Sequence, residues 1–389
     1  MFLSRQSDTE IIGRDEDLEK IVEMLLNSDI ERDMLSLTIV GMGGLGKTAL
    51  AQLVYNHEKI TQEFTLRLWT CVSDHDQSKL DVKTVLAQIV ESATGQKYYG
   101  YSTEVVVNRL REVLAQRRFL IVLDDLWTES RDEWRKLVGH LVGGKGGSRV
   151  LVTTRSKETA KIVGNGPIYE LKGLSDENSW RLFQMMAFEQ LLDQVCPNNY
   201  DDFINIGKNI VELCVNVPLA IRVIGSLLYG QDKSKWLSVQ DSGLGNLGEN
   251  ENGIKPILKL SYQNLQSSLK SCFSYCSLFP KDFMIKKNLL IPLWIAQGYI
   301  MPLEKGQSLE DASKEYFLIL LRRNFFQDVL IDQYGEVFSF KLHDLMHDLA
   351  LEVAEMEVCP ASSFTGEVDK VVRHVSFTRK QHPNILPGL

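Results

Sequence analysis

Eight residues constrain the fold of this chain more than any others: Gly41-Met42-Gly43-Gly44-Leu45-Gly46-Lys47-Thr48. They follow a strand-like run, Leu35–Val40, and open a helical stretch, Thr48–Asn56, which is the context that a G-x-x-x-x-G-K-[ST] loop requires. Glycines let backbone N–H groups turn inward around phosphate oxygens, and the helix that follows adds the positive end of its dipole. Lys47 puts a compact charge on β- and γ-phosphates, and the Thr48 hydroxyl can ligate Mg²⁺. The same residues also satisfy the dinucleotide fingerprint, as Gly41-x-Gly43-x-x-Gly46. That reading needs an acidic residue ending the second strand, where Asp74 is only loosely in place, and it gives the Lys-Thr pair no task.

A second segment completes a nucleoside-triphosphate site. Leu120-Ile121-Val122-Leu123-Asp124-Asp125 is an apolar strand that ends in two carboxylates. Beside a phosphate loop, Asp124 is placed to hold Mg²⁺, and Asp125 to orient or deprotonate an attacking water. A further strand ends at Thr153-Thr154-Arg155, so Arg155 brings a cation to the same edge and is the candidate γ-phosphate sensor. The other strand candidates are Leu66–Val72 and Ile168–Leu171, with amphipathic helices such as Val105–Leu114 between them. This alternation predicts an α/β fold, a parallel sheet carrying a P-loop.

From Ser175 the strands stop. Ser175 can cap a helix whose first turn carries Asp176 and Glu177, with Trp180 and Phe183 on its apolar face. Phe203, Ile206, Ile210 and Leu213 recur at helical spacing, and Pro218 suits the first position of another helix. Gly243–Gly253 reads as a linker. A mostly helical region then runs from Ile254 to Glu357, with one strand-like stretch, Val337–Leu342, that can form a wing.

With 389 residues the chain suits two or three domains, and its 44% hydrophobic and 24% charged content is that of a globular protein. A net charge of −8 argues against a surface built for phosphate backbones. No apolar run approaches the ~20 residues of a membrane span; Leu289–Ala296 is far shorter and contains Pro292. The opening residues carry no signal-peptide pattern, and six scattered cysteines suggest buried thiols in a reducing compartment, so a cytoplasmic location is expected.

On these motifs the chain resembles the NB-ARC module, a signal-transduction (STAND) ATPase, of plant nucleotide-binding leucine-rich-repeat immune receptors. The resemblance runs from Ile11 to Glu357. Ile11-Ile12-Gly13-Arg14-Asp15 is similar to the family's adenine-contacting motif, with Asp15 for the usual Glu. Trp127, after the two aspartates, is typical of the coiled-coil class. Asn216-Val217-Pro218-Leu219-Ala220 resembles the Gly-Leu-Pro-Leu-Ala motif, whose proline packs on the base. Cys272-Phe273-Ser274-Tyr275-Cys276 with Leu278-Phe279-Pro280 resembles the aromatic-cysteine motif of the winged-helix subdomain. Leu342-His343-Asp344 stands where the family has Met-His-Asp, whose histidine reaches the β-phosphate of ADP. Asn216 replaces the usual glycine; Asn tolerates left-handed backbone well and can do glycine's job.

The resemblance implies four segments: a P-loop nucleotide-binding domain (1–172), a small helical domain (173–248), a winged-helix domain (249–357), and a linker with the start of a leucine-rich-repeat domain (358–389), where Val371–Phe377 suggests the first repeat strand. The implied nucleotide-binding residues are Ile12, Gly13, Arg14, Gly41, Met42, Gly43, Gly44, Leu45, Gly46, Lys47, Thr48, Ala49, Arg155, Pro218, Leu219 and His343. Asp124 and Asp125 are the catalytic candidates, and Thr48 and Asp124 the metal ligands. It further implies an ADP-bound, closed, monomeric off-state and an ATP- and Mg²⁺-bound form that homo-oligomerises and triggers defence. On this reading the chain is a core without its coiled-coil and leucine-rich-repeat domains. The competing classes are a P-loop motor or DNA-remodelling ATPase, for which no arginine finger can be assigned, and a dehydrogenase. His343-Asp344-Leu345-Met346-His347 mimics a zinc-protease helix but lacks its Glu and a third ligand, and His347 reads as a surface or capping residue. Lys281, Lys286 and Lys287 read as a solvated face, so nucleic acid is not expected to bind.

Overall fold

A parallel sheet must be covered on both faces, and the first half of this chain supplies helices between every pair of strands. The computed structural model describes residues 4–5, 11–27, 34–72, 80–98, 100–164, 166–188, 200–242, 253–354, 358–360 and 374–376. The chain forms two compact units, Ile11–Leu174 and Ser175–Leu389, the latter including Met1–Glu10 and with it the short strand β1 (Ser4–Arg5). Asp74 lies outside the described residues.

The first unit is a five-stranded parallel sheet of β2 (Met34–Val40), β3 (Leu66–Cys71), β4 (Phe119–Asp124), β5 (Ser148–Thr154) and β6 (Ile168–Glu170), in the order β3-β4-β5-β2-β6. Every expected strand forms, each end within one residue of its expected place. Around the sheet lie α1 (Asp15–Leu26), α2 (Lys47–Asn56), α3 (Glu58–Glu63), α4 (Val82–Thr94), α5 (Thr103–Leu114), α6 (Arg131–Leu141) and α7 (Lys157–Val163). All of β4 and β5 is buried, as central parallel strands require. Asp81, Ser102, Ser130 and Ser156 each accept a backbone N–H three residues on, starting α4 to α7. Arg149, buried in β5, donates 3.2 Å bonds to the carbonyls of Leu25 and Asn27 and so satisfies the end of α1.

The second unit begins with four helices, α8 (Asp176–Phe188), α9 (Tyr200–Leu213), α10 (Pro218–Leu228) and α11 (Lys233–Gln240). Ser175 does cap the first of them, accepting the Asn178 N–H at 3.2 Å. Trp236, buried, meets the rings of Phe183, Phe188 and Phe203 with centroids 5.6, 5.2 and 5.1 Å away. Then follow α12 (Lys255–Gln263), α13 (Ser267–Tyr275), β7 (Ile285–Lys286), α14 (Lys287–Ala296), α15 (Leu309–Arg322), β8 (Phe326–Ile331), β9 (Val337–Leu342) and α16 (Asp344–Ala354). β9 pairs antiparallel with both β8 and β7, which makes Val337–Leu342 the expected wing strand. Phe326 and Phe340 pack across that ladder with centroids 4.2 Å apart. β10 (Val358–Pro360) and β11 (His374–Ser376) form a parallel pair. The rest of Val371–Phe377, and all of the linker Gly243–Gly253 except Gly253, lie outside the described residues.

Among the polar side chains that hold turns in this unit, three tie segments far apart in sequence. Asn216 sits at φ +58, the left-handed backbone that glycine would otherwise supply, after Val215 at +48. Its amide accepts from Ser179 Oγ (2.8 Å) and donates to Asp176 Oδ1 (3.0 Å), tying the turn before α10 to the start of α8. Asn324, also left-handed, donates to Ser226 Oγ on α10. The third is a correction. His347 is neither a surface nor a capping residue: it is 5% exposed, and its Nε2 lies 2.7 Å from the Phe279 carbonyl. One helical turn past His343, it falls on the inward face of α16 with Met346 and Ala350. Cys214, Cys272 and Cys276 are buried free thiols; burial pushes Cys214 up to about 12. Among the described residues no helix is long and apolar enough to cross a membrane.

Replacing Asn216 separates its two roles. Asn216→Ala is expected to lose about 2 kcal/mol, from left-handed strain and two lost hydrogen bonds, and Asn216→Gly only about half of that. Urea unfolding of both variants tests this; equal losses would remove the backbone contribution.

Candidate functional site

The carboxyl edge of the parallel sheet is where the chain reverses between strands, and ligands of open α/β sheets bind at such edges. Val40, the last residue of β2, lies opposite Thr154 of β5, and Leu123 of β4 opposite Val152. The loop 41–46 leaves β2 there, Asp124 ends β4, Asp125 follows it, and Arg155 follows β5. The strand order places β5 between the strand that launches the loop and the strand that carries the aspartates.

The loop needs its glycines. Gly44 and Gly46 adopt φ of +83 and +88, and a Cβ on Gly41 would come within 2.9 Å of the Leu171 carbonyl oxygen. Lys47 is the first residue of α2 and only 7% exposed. Its ammonium donates to the carbonyls of Gly41 (2.7 Å) and Met42 (2.9 Å), which centres the charge on the loop. Gly43, Thr48 and Ala49 are half-buried around it, and Leu45 is buried.

Asp124 is 5% exposed, and two hydroxyls satisfy one of its oxygens: Thr48 Oγ1 donates to Oδ1 at 3.0 Å and Thr153 Oγ1 at 2.6 Å. Thr153 in turn accepts the backbone N–H of Asp125 at 2.8 Å, holding that residue at φ +52. Asp125 Oδ1 stands 3.5 Å from Arg155 Nε, both side chains 15% exposed. One threonine hydroxyl thus positions both aspartates. Thr153 is a positioning residue that no motif marks; its place directly before a strand end, level with the aspartates, is the signal in the sequence that points to it. Thr48 and Asp124 offer hard oxygen donors, the set that Mg²⁺ prefers, so these residues fit that metal.

The residues ahead of α1 join the same loop. Ile12 is buried, Gly13 is left-handed at φ +71, and Arg14 is 4% exposed. The Arg14 guanidinium donates to the carbonyls of Leu45 (2.8 Å) and Lys172 (3.0 Å) and pairs with Asp17 at 2.8 Å. Three candidates belong to the second unit. Pro218 opens α10, with Leu219 beside it, both half-buried. His343 precedes α16, and its Nδ1 accepts the Leu345 N–H at 3.1 Å, capping that helix.

Comparison with known proteins agrees with these motifs. The NB-ARC domain family matches residues 14–193, and the disease resistance protein winged helix domain family matches residues 278–350. Disease resistance protein RGA2 of Solanum bulbocastanum is 39% identical over 94% of this chain and 36% of its own length. Disease resistance protein RPM1 of Arabidopsis thaliana is 31% identical over 90% of this chain and 38% of its own. The chain therefore spans little more than a third of the curated relatives it matches. A solved signal-transduction ATPase with a tetratricopeptide-repeat sensor, from Pyrococcus horikoshii, is 16% identical with a TM-score of 0.48, over 89% of this chain and 43% of that one.

Thr153→Val keeps the shape but leaves the Asp125 N–H without its acceptor and Asp124 with one hydroxyl fewer. A loss of about 2 kcal/mol is expected, largely restored in Thr153→Ser. Denaturant unfolding measures it, and an unchanged midpoint in the valine variant would show that the hydroxyl does not hold the aspartates.

Proposed function

Because the chain belongs to the NB-ARC family of plant disease-resistance proteins, we propose that it is an adenine-nucleotide switch, closed with ADP and opened by ATP. The observation that carries this reading is the single edge shared by the glycine loop, Lys47, the Thr48–Asp124–Thr153 chain and Arg155. Backbone N–H groups from Gly41 to Thr48, with Ala49 behind them, would wrap the phosphates, and Lys47 would balance their charge. Thr48 and Asp124 would hold Mg²⁺, which, when bound with ATP, neutralises charge on the β- and γ-phosphates. Asp125 would align the attacking water, its carboxylate held by Arg155 until that cation turns to the γ-phosphate. Hydrolysis on this reading is a slow timer.

The family assignment extends the proposal to the second unit. Residues 1–172 would bind the nucleotide, 173–248 form the helical domain, 249–357 the winged helix, and 358–389 lead into a repeat domain. Ile12 and Gly13 would contact adenine, and Pro218, with Leu219 beside it, would pack on the base. His343 would donate to the β-phosphate of ADP and favour the closed monomer. In the full receptor, in the cytoplasm, ATP would release that contact and permit homo-oligomers that trigger defence.

Two measurements test this. Lys47→Ala and Lys47→Arg are expected to lose copurifying ADP, because a planar guanidinium cannot take the place of a compact ammonium. Nucleotide released on denaturing the protein is the assay, and retention equal to the parent's would end the P-loop assignment.

The His343 contact needs a control for its capping bond. Asn caps helices as well as any residue, so His343→Asn keeps the α16 cap while removing the imidazole Nε2. On the proposal this variant loses about tenfold in ADP affinity, ~1.4 kcal/mol, and much less in ATP affinity. Equal affinities to the parent's would reduce His343 to a cap.

A further inference from the structure

The resemblance assigns Arg14 to the nucleotide, yet its guanidinium is turned into the protein. It is 4% exposed and gives its hydrogens to the carbonyls of Leu45, at 2.8 Å, and Lys172, at 3.0 Å. A guanidinium taken out of water needs a counter-charge. Asp17, in the first turn of α1, supplies it through Oδ2 at 2.8 Å. The other oxygen of Asp17 accepts from the Tyr169 hydroxyl of β6 at 2.5 Å. Burial, together with the Asp17 carboxylate, pushes the Tyr169 phenol up to about 12, so it remains a donor at any working pH. The chain of contacts runs from the edge strand β6, through α1, to the middle of the glycine loop.

What the contact at Leu45 does follows from peptide geometry. Leu45 stands between Gly44 and Gly46, the two left-handed positions of the loop at φ +83 and +88. In a planar trans peptide the carbonyl of Leu45 and the N–H of Gly46 point in opposite directions. Drawing the carbonyl onto Arg14 therefore aims the Gly46 N–H away from Arg14. Flipping that peptide turns ψ of Leu45 and φ of Gly46, the second a torsion that glycine leaves unrestricted, and it would offer phosphate an oxygen in place of a donor.

We propose that Arg14, Asp17 and Tyr169 form a clasp that holds the Leu45–Gly46 peptide in its phosphate-donating orientation, so that all three are positioning residues for phosphate. The proposal rests on the P-loop reading above. It differs from a base contact in one measurable respect: a clasp acts on anything that carries phosphates, with or without adenine.

The test is calorimetric binding of ADP and of inorganic pyrophosphate to the full chain, well below its unfolding temperature. The proteins compared are the parent, Lys47→Ala, Arg14→Ala, Asp17→Asn, Tyr169→Phe and the Arg14→Ala/Tyr169→Phe double variant. Tyr169→Phe is expected to weaken both ligands by the same factor, roughly fivefold, and Arg14→Ala by on the order of tenfold or more. The double variant is expected to be no weaker than Arg14→Ala, because the phenol acts only through the guanidinium. A general loss of stability would lower the melting temperature without changing affinity in the folded protein. Tyr169→Phe, which removes only one hydroxyl, keeps the test open even if Arg14→Ala does not fold. Loss of ADP binding with pyrophosphate binding intact would make Arg14 a base contact and overturn the clasp. So would parental affinities in Tyr169→Phe and Asp17→Asn. Failure of the nucleotide reading itself looks different: the parent binds neither ligand, or Lys47→Ala binds as the parent does, and the clasp falls with it.

Discussion

A carboxylate at the end of a fully buried strand is the constraint on which the first unit turns. Asp124 is 5% exposed, and a charge so placed is costly unless its oxygens are bonded. The donors come from two other segments, Thr48 at the start of α2 and Thr153 near the end of β5. Satisfying that one group therefore draws the end of β4, the loop after β2 and the end of β5 to a common level. The arrangement requires β5 to lie beside β4, which the strand order provides. Hydroxyls suit the purpose: they bond the carboxylate without bringing a charge of their own.

The phosphate loop was legible because its signal is local. Glycine spacing, a strand before and a helix after all fall in the one stretch Met34–Asn56, and Gly44 and Gly46 do take left-handed torsions. The strands were legible for a related reason, since a buried parallel strand such as Phe119–Asp124 reads as one apolar run. Arg149 shows the limit of that rule. It is a fully buried cation inside a strand, and beside its neighbour Ser148 its partners are the carbonyls of Leu25 and Asn27, over a hundred residues away. Tyr169 and Asp17, and Thr153 and Asp124, are likewise pairs made by topology. No periodicity in one segment announces the partner in another.

His347 was misread for the opposite reason. Its neighbours suggested a polar start to an amphipathic helix, and a histidine there is ordinarily wet. The Phe279 carbonyl, left without a helical partner where the turn after α13 ends, gives the buried ring its bond. Asn216 was read correctly because the argument was about backbone, and a left-handed torsion is a property of the residue's own position.

The histidine ahead of α16 shows how a helix cap can fix the tautomer of a ring. A helix start leaves N–H groups without partners, and His343 meets one of them, Leu345 N–H, through Nδ1 as an acceptor. Only a neutral ring with its proton on Nε2 can do this, so the cap selects the tautomer. It also orients the ring, because Nδ1 is fixed against the helix while Nε2 lies on the far side of the imidazole. A phosphate contact would need a donor at Nε2, and that is the atom the cap leaves protonated. Protonating Nδ1 would add charge to the ring and at the same moment remove the acceptor that starts the helix. Capping and phosphate donation are thus compatible in the neutral form, whereas the charged form would exchange one for the other.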